Sequence, residues 1–406
     1  MSTEVRPERL EVPERREGRG PGAVSISSVA WGSAHGSCVE LFTLTNSRGM
    51  SVKVSTYGGV VQSLWAPDRA GRLVNVVLGF PALDDYVRNF EGQLQPSPES
   101  PASTYFGALI GRCANRVAGA RFSLGGQLYE LAANEGAGSL HGGPGSYNTQ
   151  IWSARPEIGT GFAALELSYT DPAGKNGFPG TVCNTVTYSL TNDNALRVTY
   201  HATTDVPTVV NLTNHTYFNL AGEGSGSALG QYLQINADTY QPTDEDLVPT
   251  GAFVPVAGTA FDFRALRPIG EHIERYDLPD GGGQPRPQLA IAQGYDHNWV
   301  LNGSGYRLVA TAFDPGTGIT LRTYTDQPGV QFYTGNFLAG NLTGTSGRRY
   351  RPGDGFTLET QHFPDSPHHI GQAGWPSVVL YPGEAFRSVT TYQFTAGEPG
   401  AGARSS

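Results

Sequence analysis

The chain has 406 residues, 38% of them hydrophobic, with 19 tyrosines, 18 phenylalanines and 54 dispersed glycines, which excludes collagen and simple low complexity and suits a turn-rich β protein. Its net charge of −9, from 27 basic and 36 acidic residues without a basic patch, argues against a nucleic-acid partner. The three cysteines, Cys38, Cys113 and Cys183, form no CxxC pair, so a disulfide framework or zinc knuckle is not expected; buried free thiols in a reducing compartment are.

Residues 1–26 carry dense mixed charge and no apolar run of the signal-peptide kind, which predicts a disordered leader. Residues 27–397 show no convincing internal boundary and read as one domain, with 398–406 as a flexible tail. The stretches 93–103 and 278–288, rich in Pro with Ser or Gly, read as loops. No run of 18 apolar residues occurs, so no membrane span is expected and a soluble, cytoplasmic protein is the default.

Period-two alternation recurs through the middle of the chain. In 196–204, Leu196, Val198, Tyr200 and Ala202 share one face while Arg197, Thr199, His201 and Thr203 share the other. Stretches 165–171, 186–192 and 318–326 alternate in the same way, with Gly- and Asn/Asp-rich turns between them. The best helical candidate, 266–278, is short and interrupted by Gly270. The expected fold is all-β: a large antiparallel β-sandwich of two packed sheets.

Several stretches interrupt this pattern with concentrated polar chemistry: 110–131, 134–152, 205–222, 294–301, 327–337 and 356–369. They supply His141 and His215, which can titrate near neutrality, the carboxylates Asp296 and Glu359, the guanidinium of Arg116, and the amides of Asn115, Asn214 and Gln331. Trp299, Tyr333 and Phe337 add flat apolar surface. That mixture suits a sugar, whose rim carries hydroxyls and whose faces carry C–H groups. Taken singly, each residue also has a plain structural reading: Glu359 as an exposed strand position, Asp296 as a turn device, Arg116 as a surface ion-pair member. In 209–222, the cluster of Asn211, Asn214, His215 and Asn219 needs either mutual partners or a ligand, because unpartnered polar groups are costly to bury.

Metal binding is not expected, since neither His368–His369 nor Asp296–His297 has ligand spacing. There is no phosphate-cradling loop and no GxSxG, so nucleotide and serine-esterase chemistry lack support.

GRCANRVAGARFSLGGQLYEL with GSLHGG, then VVNLTNHTYFNLAG, GYDHNWVL, QFYTGNF and LETQ, resemble in order and spacing the signatures of the aldose 1-epimerases, also called galactose mutarotases. The resemblance covers roughly residues 27–395. It implies a very large β-sandwich with an open sugar cleft and no cofactor or metal. It implies His215 as general acid and Glu359 as general base. His141, Asn115, Arg116, Asp296 and Gln331 match sugar-contacting positions. It further implies exchange of α and β anomers of free hexoses such as galactose and glucose, by a protein that is a monomer or weak dimer. The chain departs from the family after HGG, where PGSYNTQIW places Asn148 and Thr149 in positions usually held by charged residues. Rival readings are a hexose-6-phosphate mutarotase, which needs further cations at the cleft, a non-catalytic sugar-binding module, and a glycoside hydrolase, which needs two suitably placed carboxylic acids.

Overall fold

The computed structural model describes residues 22–93 and 103–399, so most of the leader, residues 94–102 and most of the tail lie outside the described residues. The strand Ser25–Ala34 starts within the stretch read as leader. Three antiparallel sheets account for the long strands.

The first five strands form a meander from Ser25–Ala34 to Leu73–Asn75. A nine-stranded sheet runs from Ser153–Gly159 through Phe162–Asp171, Val182–Thr191, Ala195–Thr204 and Phe386–Ala396 to Ile319–Thr325 and its neighbours. The alternating stretches of the sequence all lie in it. Leu196, Val198, Tyr200 and Ala202 are buried, while Arg197 and Thr199 between them are exposed. This is the pattern of strands with one face on a core. A six-stranded sheet orders Tyr217–Phe218, Phe356–Gln361, Gly329–Tyr333, Asp296–Leu301, Ala237–Gln241 and Val254–Pro255. An isolated bridge pairs Phe218 with Val77, two residues beyond the last strand of the five-stranded sheet.

Apolar side chains of all three sheets meet in one contiguous core, among them Val52, Leu165, Val198, Leu321, Phe332 and Leu358. The result is the expected antiparallel β-sandwich.

Helix is scarce. The segment 266–278 contains only one 3₁₀ turn, Ile269–Glu271, after the two-residue strand Arg267–Pro268. Pro268 has no N–H to give a helix, and pairing with Tyr232 and Leu233 holds the segment extended. Among the described residues the one helix of eight residues, Leu83–Phe90, is not signalled by periodicity, because two turns are shorter than the window in which that pattern emerges. It buries Leu83, Tyr86 and Phe90, with Asp84 and Asp85 in its first turn and Arg88 in its last, as the helix dipole favours. The cysteines depart from expectation: all are unpaired, but only Cys113 is buried, and Cys38 and Cys183 are exposed.

Candidate active site

The six-stranded sheet has two chemically distinct faces. Val330, Phe332, Phe356 and Leu358 point into the core. The intervening residues form a polar surface. Asp296 pairs across to Tyr333 and Tyr333 to Thr357; in the next row Asn298 pairs to Gln331 and Gln331 to Glu359. Strand alternation therefore separates Asp296 from its neighbour His297. His297 is fully buried among Tyr240, Phe261 and Gln288, and burial pushes its pKa down to about 3. Trp299 also faces the core, beside Phe263, Tyr295 and Phe332, and is no sugar platform. Tyr333 is on the polar face, with Phe337 stacked on it at 6.0 Å. Glu359 is buried, not an exposed strand position, and Asp296 begins a strand rather than making a turn.

His215 reaches this face from a segment fixed on both sides. Thr213 and Asn214 pair with Ile110 and Leu109, and Tyr217 pairs with Thr357 on the strand that carries Glu359. The neighbouring asparagines are satisfied by the surrounding chain. Asn211 exchanges hydrogen bonds with the backbone of His362, Asn214 donates to the Gly107 carbonyl and the Tyr188 hydroxyl, and Asn219 donates to the Gly226 and Asp354 carbonyls. Buried amides of this kind fix irregular backbone that no ladder supports. They form the polar corner that holds His215 in place.

His141 and Asn115 arrive together. Ser139 and Leu140 pair with Val117 and Arg116, and both His141 and Asn115 adopt left-handed backbone, φ 53° and 62°. The glycine after His141 is required: a Cβ on Gly142 would lie 2.3 Å from the Gly111 carbonyl oxygen. The Asn115 N–H donates to Nδ1 of His141 at 3.2 Å, so neutral His141 carries its proton on Nε2 and acts as a donor. Burial, then the nearby His215 and Arg116, hold its pKa well below the ordinary value.

Arg116 is buried rather than at the surface. Its Nε and Nη2 grip Glu135 at 2.6 and 2.9 Å, and its Nη1 is 3.7 Å from Asp296. Gln331 donates to the other Asp296 oxygen at 2.7 Å. Glu135 and Asp296 raise the guanidinium pKa despite burial, and burial raises that of Asp296.

His215 Nε2 and Glu359 Oε1 are 3.6 Å apart, beyond hydrogen-bond distance. Burial drives both toward their uncharged forms, His215 down to about 3 and Glu359 up to about 8, although Thr357 donates to Oε1 at 2.8 Å. The pair thus holds one proton at neutral pH, on Glu359. Nδ1 of His215, Oε2 of Glu359 and Oε1 of Gln331 are buried without partners, three polar atoms left for a ligand to satisfy.

His141, His215 and Glu359 place potential metal-ligating atoms within 4.8 Å of one another, the one such group among the described residues. The donor set does not fit a metal. Nδ1 of His141 has its lone pair engaged by the Asn115 N–H, and Nε2 carries the proton, so that ring offers no free lone pair. Of the adjacent histidines, His368 bonds Asp365 at 2.6 Å, while His369 lies 3.8 Å from the other oxygen of that carboxylate and stacks on Trp375.

All seven candidate residues lie at this site or hold a residue that does. Sequence reasoning missed Glu135, Thr357 and Tyr105. Glu135 and Thr357 lie inside the polar stretches 134–152 and 356–369, but no motif there singles them out; Glu135 and Tyr105 matter through Arg116 and the two histidines, and Thr357 through Glu359 two residues on. Tyr105 packs against both histidines from just before the first polar stretch.

A family described as aldose 1-epimerase matches residues 40–393. The chain is 40% identical to the galactose mutarotase of Bos taurus over 358 residues, 88% of this chain and 94% of that one. It is 40% identical to that of Homo sapiens over 361 residues, 89% of this chain and 95% of that one. The aldose 1-epimerase of Escherichia coli (strain K12) is 35% identical over 362 residues, 88% of this chain and 95% of that one. Among solved structures, a galactose 1-epimerase from Lactobacillus acidophilus NCFM superposes with a TM-score of 0.75 at 28% identity, covering 93% of this chain and all (100%) of that one.

Proposed function

This chain belongs to the aldose 1-epimerase family and is an isomerase that interconverts the α and β anomers of aldose sugars; from that premise we propose that His215 and Glu359 are its reacting pair. The observation that carries this reading is their juxtaposition, a buried imidazole and carboxyl 3.6 Å apart with partnerless polar atoms on both.

Exchange of anomers needs one proton delivered to the ring oxygen and one removed from the C1 hydroxyl. The C1–ring oxygen bond then breaks and C1 becomes a carbonyl. Rotation about C1–C2 presents its other face, and ring closure reverses both transfers. A pair that shares one proton supplies one acid and one base, and it ends each cycle as it began. In our assignment His215 donates to the ring oxygen and Glu359 accepts the anomeric proton. The proton therefore moves from Glu359 to His215 as the sugar's hydroxyls enter and solvate the charged forms. His141 donates from Nε2 toward the ring, and Asp296, Gln331, Arg116 and Asn115 hold the remaining hydroxyls. No metal or cofactor enters this scheme.

Galactose and glucose are the aldoses we expect, supported by the names of the relatives for the first. The phosphate-sugar alternative is disfavoured because the Arg116 fork is already taken by Glu135, with Asp296 beside it. A reducing, cytoplasmic setting is supported by three unpaired cysteines. No helix among the described residues is long and apolar enough to cross a membrane. We read the protein as a monomer or weak dimer, which sedimentation will check.

Polarimetry on freshly dissolved α-D-galactose and α-D-glucose tests the assignment. Each positioned acid or base contributes about 10²–10⁴-fold. Glu359→Gln and His215→Asn are each expected to lose turnover by that order while remaining folded. Near wild-type rates in either variant overturn the proposal.

A further inference from the structure

Arg116 is the cation whose charge is felt at His141, Asp296, Tyr333 and Glu359, and it supplies positive charge to the reacting site. Its fork is engaged on two sides. Glu135 accepts from Nε at 2.6 Å and from Nη2 at 2.9 Å, a two-pronged grip on one edge. Asp296 stands 3.7 Å from Nη1. Two carboxyl groups therefore flank one guanidinium, whose side chain is only 7% exposed.

The Arg116–Glu135 pair is fixed from both ends. The Glu135 carbonyl accepts from the Gly138 N–H at 2.8 Å, closing a tight turn. Beside it, the Asn134 amide exchanges hydrogen bonds with the backbone of Leu140 at 3.0 and 2.7 Å. Leu140 pairs in turn with Arg116, so carboxylate and guanidinium hang on the same short ladder. Burial first, and then the charge of Glu135, raise the pKa of both Asp296 and Tyr105, so this carboxylate acts on the interior of the site as well as on its rim.

The two kinds of sugar oxygen make different demands on such a fork. A hydroxyl is satisfied by a single N–H, whereas a carboxylate takes an arginine with two parallel bonds. With one edge held by Glu135 and Asp296 before Nη1, the first demand can be met and the second cannot. A sugar carboxylate also meets two negative groups for one positive, a repulsive element of the kind that sets specificity.

We propose that Glu135 is a specificity-determining residue: by occupying the fork of Arg116 it keeps the site for neutral aldoses and turns away uronates, whose C6 is a carboxylate. The inference rests on the sugar reacting at His215 and Glu359.

The test compares kcat/KM for α-D-galacturonate with that for α-D-galactose at pH 7, both followed by polarimetry. D-Fucose, which also lacks the C6 hydroxyl but is neutral, is the control for shape. The variants are Glu135→Gln, which keeps an oxygen for Arg116 and drops the charge, and Glu135→Ala, which frees the edge. The galacturonate-to-galactose ratio is expected to rise about tenfold or more in both, a modest effect for one unit charge at a partly screened site. The fucose-to-galactose ratio is expected to stay put. An unchanged galacturonate ratio in the folded variants overturns the proposal, including the case in which both sugars lose turnover together. A fucose ratio that rises alongside overturns it, as does wild-type enzyme that turns over galacturonate as well as galactose. Failure of both variants to fold overturns it too, because Glu135 then belongs to the frame of the fold. Glu359→Gln in an otherwise wild-type chain tests the reacting pair separately, so failure of one idea is not mistaken for failure of the other.

Discussion

His215 and Glu359 illustrate how burial alone can prepare an acid–base pair. Neither group has a charged partner within hydrogen-bond reach, so the low dielectric decides their state, and the pair keeps one proton between about 3 and about 8. Above about 8 that proton is lost and no acid remains; below about 3 a second is gained and no base remains. The kcat/KM profile is therefore expected to be level between those limits and to fall on the alkaline side through about 8. A steep loss already at pH 6, measured by polarimetry in matched buffers, contradicts this. The same shift carries a stability cost. Glu359 is protonated in the fold up to about 8 but only to its ordinary 4.5 when unfolded, so folding takes up a proton across that window. The contribution of Glu359 to stability accordingly declines as pH rises from about 4.5 to about 8, and levels off above. Glu359→Gln lacks this slope, so its advantage in melting temperature over wild type is expected to grow across that range. Scanning calorimetry at pH 5, 6.5 and 8 reads it directly.

At the level of elements, the short paired segments around 105–118 and 208–218 matter more than the long strands. They carry His215, Asn115 and Arg116, and two-residue ladders cannot fix them unaided. Buried side chains do it instead. Arg112 donates from Nε to Asp171 at 2.7 Å and from Nη1 to the Pro179 and Gly180 carbonyls, tying the first polar stretch to the nine-stranded sheet. Its side chain is 1% exposed and that of Asp171 4%. Asp171→Ala leaves the guanidinium without its counter-charge and is expected to cost about 3–5 kcal/mol. Urea unfolding checks this, and a change below about 1 kcal/mol shows that carbonyls alone neutralise Arg112.

At the level of the whole molecule, one apolar core receives side chains from all three sheets, and the reacting pair sits on the far face of one of them. Glu359 alternates with Leu358, so loosening the core displaces the catalytic face with it. Activity and structure are therefore expected to be lost together, in one calorimetric transition that coincides with thermal inactivation. Two separated transitions, with turnover surviving the first, show that the five-stranded sheet melts independently.

Much of this was legible in the residues themselves. Period-two alternation in 165–171, 186–192, 196–204 and 318–326 names its own strands and buried faces, because side-chain direction along a strand depends only on local geometry. The polar stretches hold every candidate residue, and the crowding of Asn211, Asn214 and Asn219 around His215 announces a buried corner. Three things were decided only by folding. Trp299 looks like a sugar platform until strand alternation turns it to the core. Tyr105 and Glu135 look unremarkable until the chain brings them to His141 and Arg116. The proton balance of His215 and Glu359, residues 144 positions apart (359 − 215), follows from shared exclusion of water. Direction along a strand is a local property, whereas burial and partnership are properties of the assembled chain, and the chemistry of this site depends on the latter.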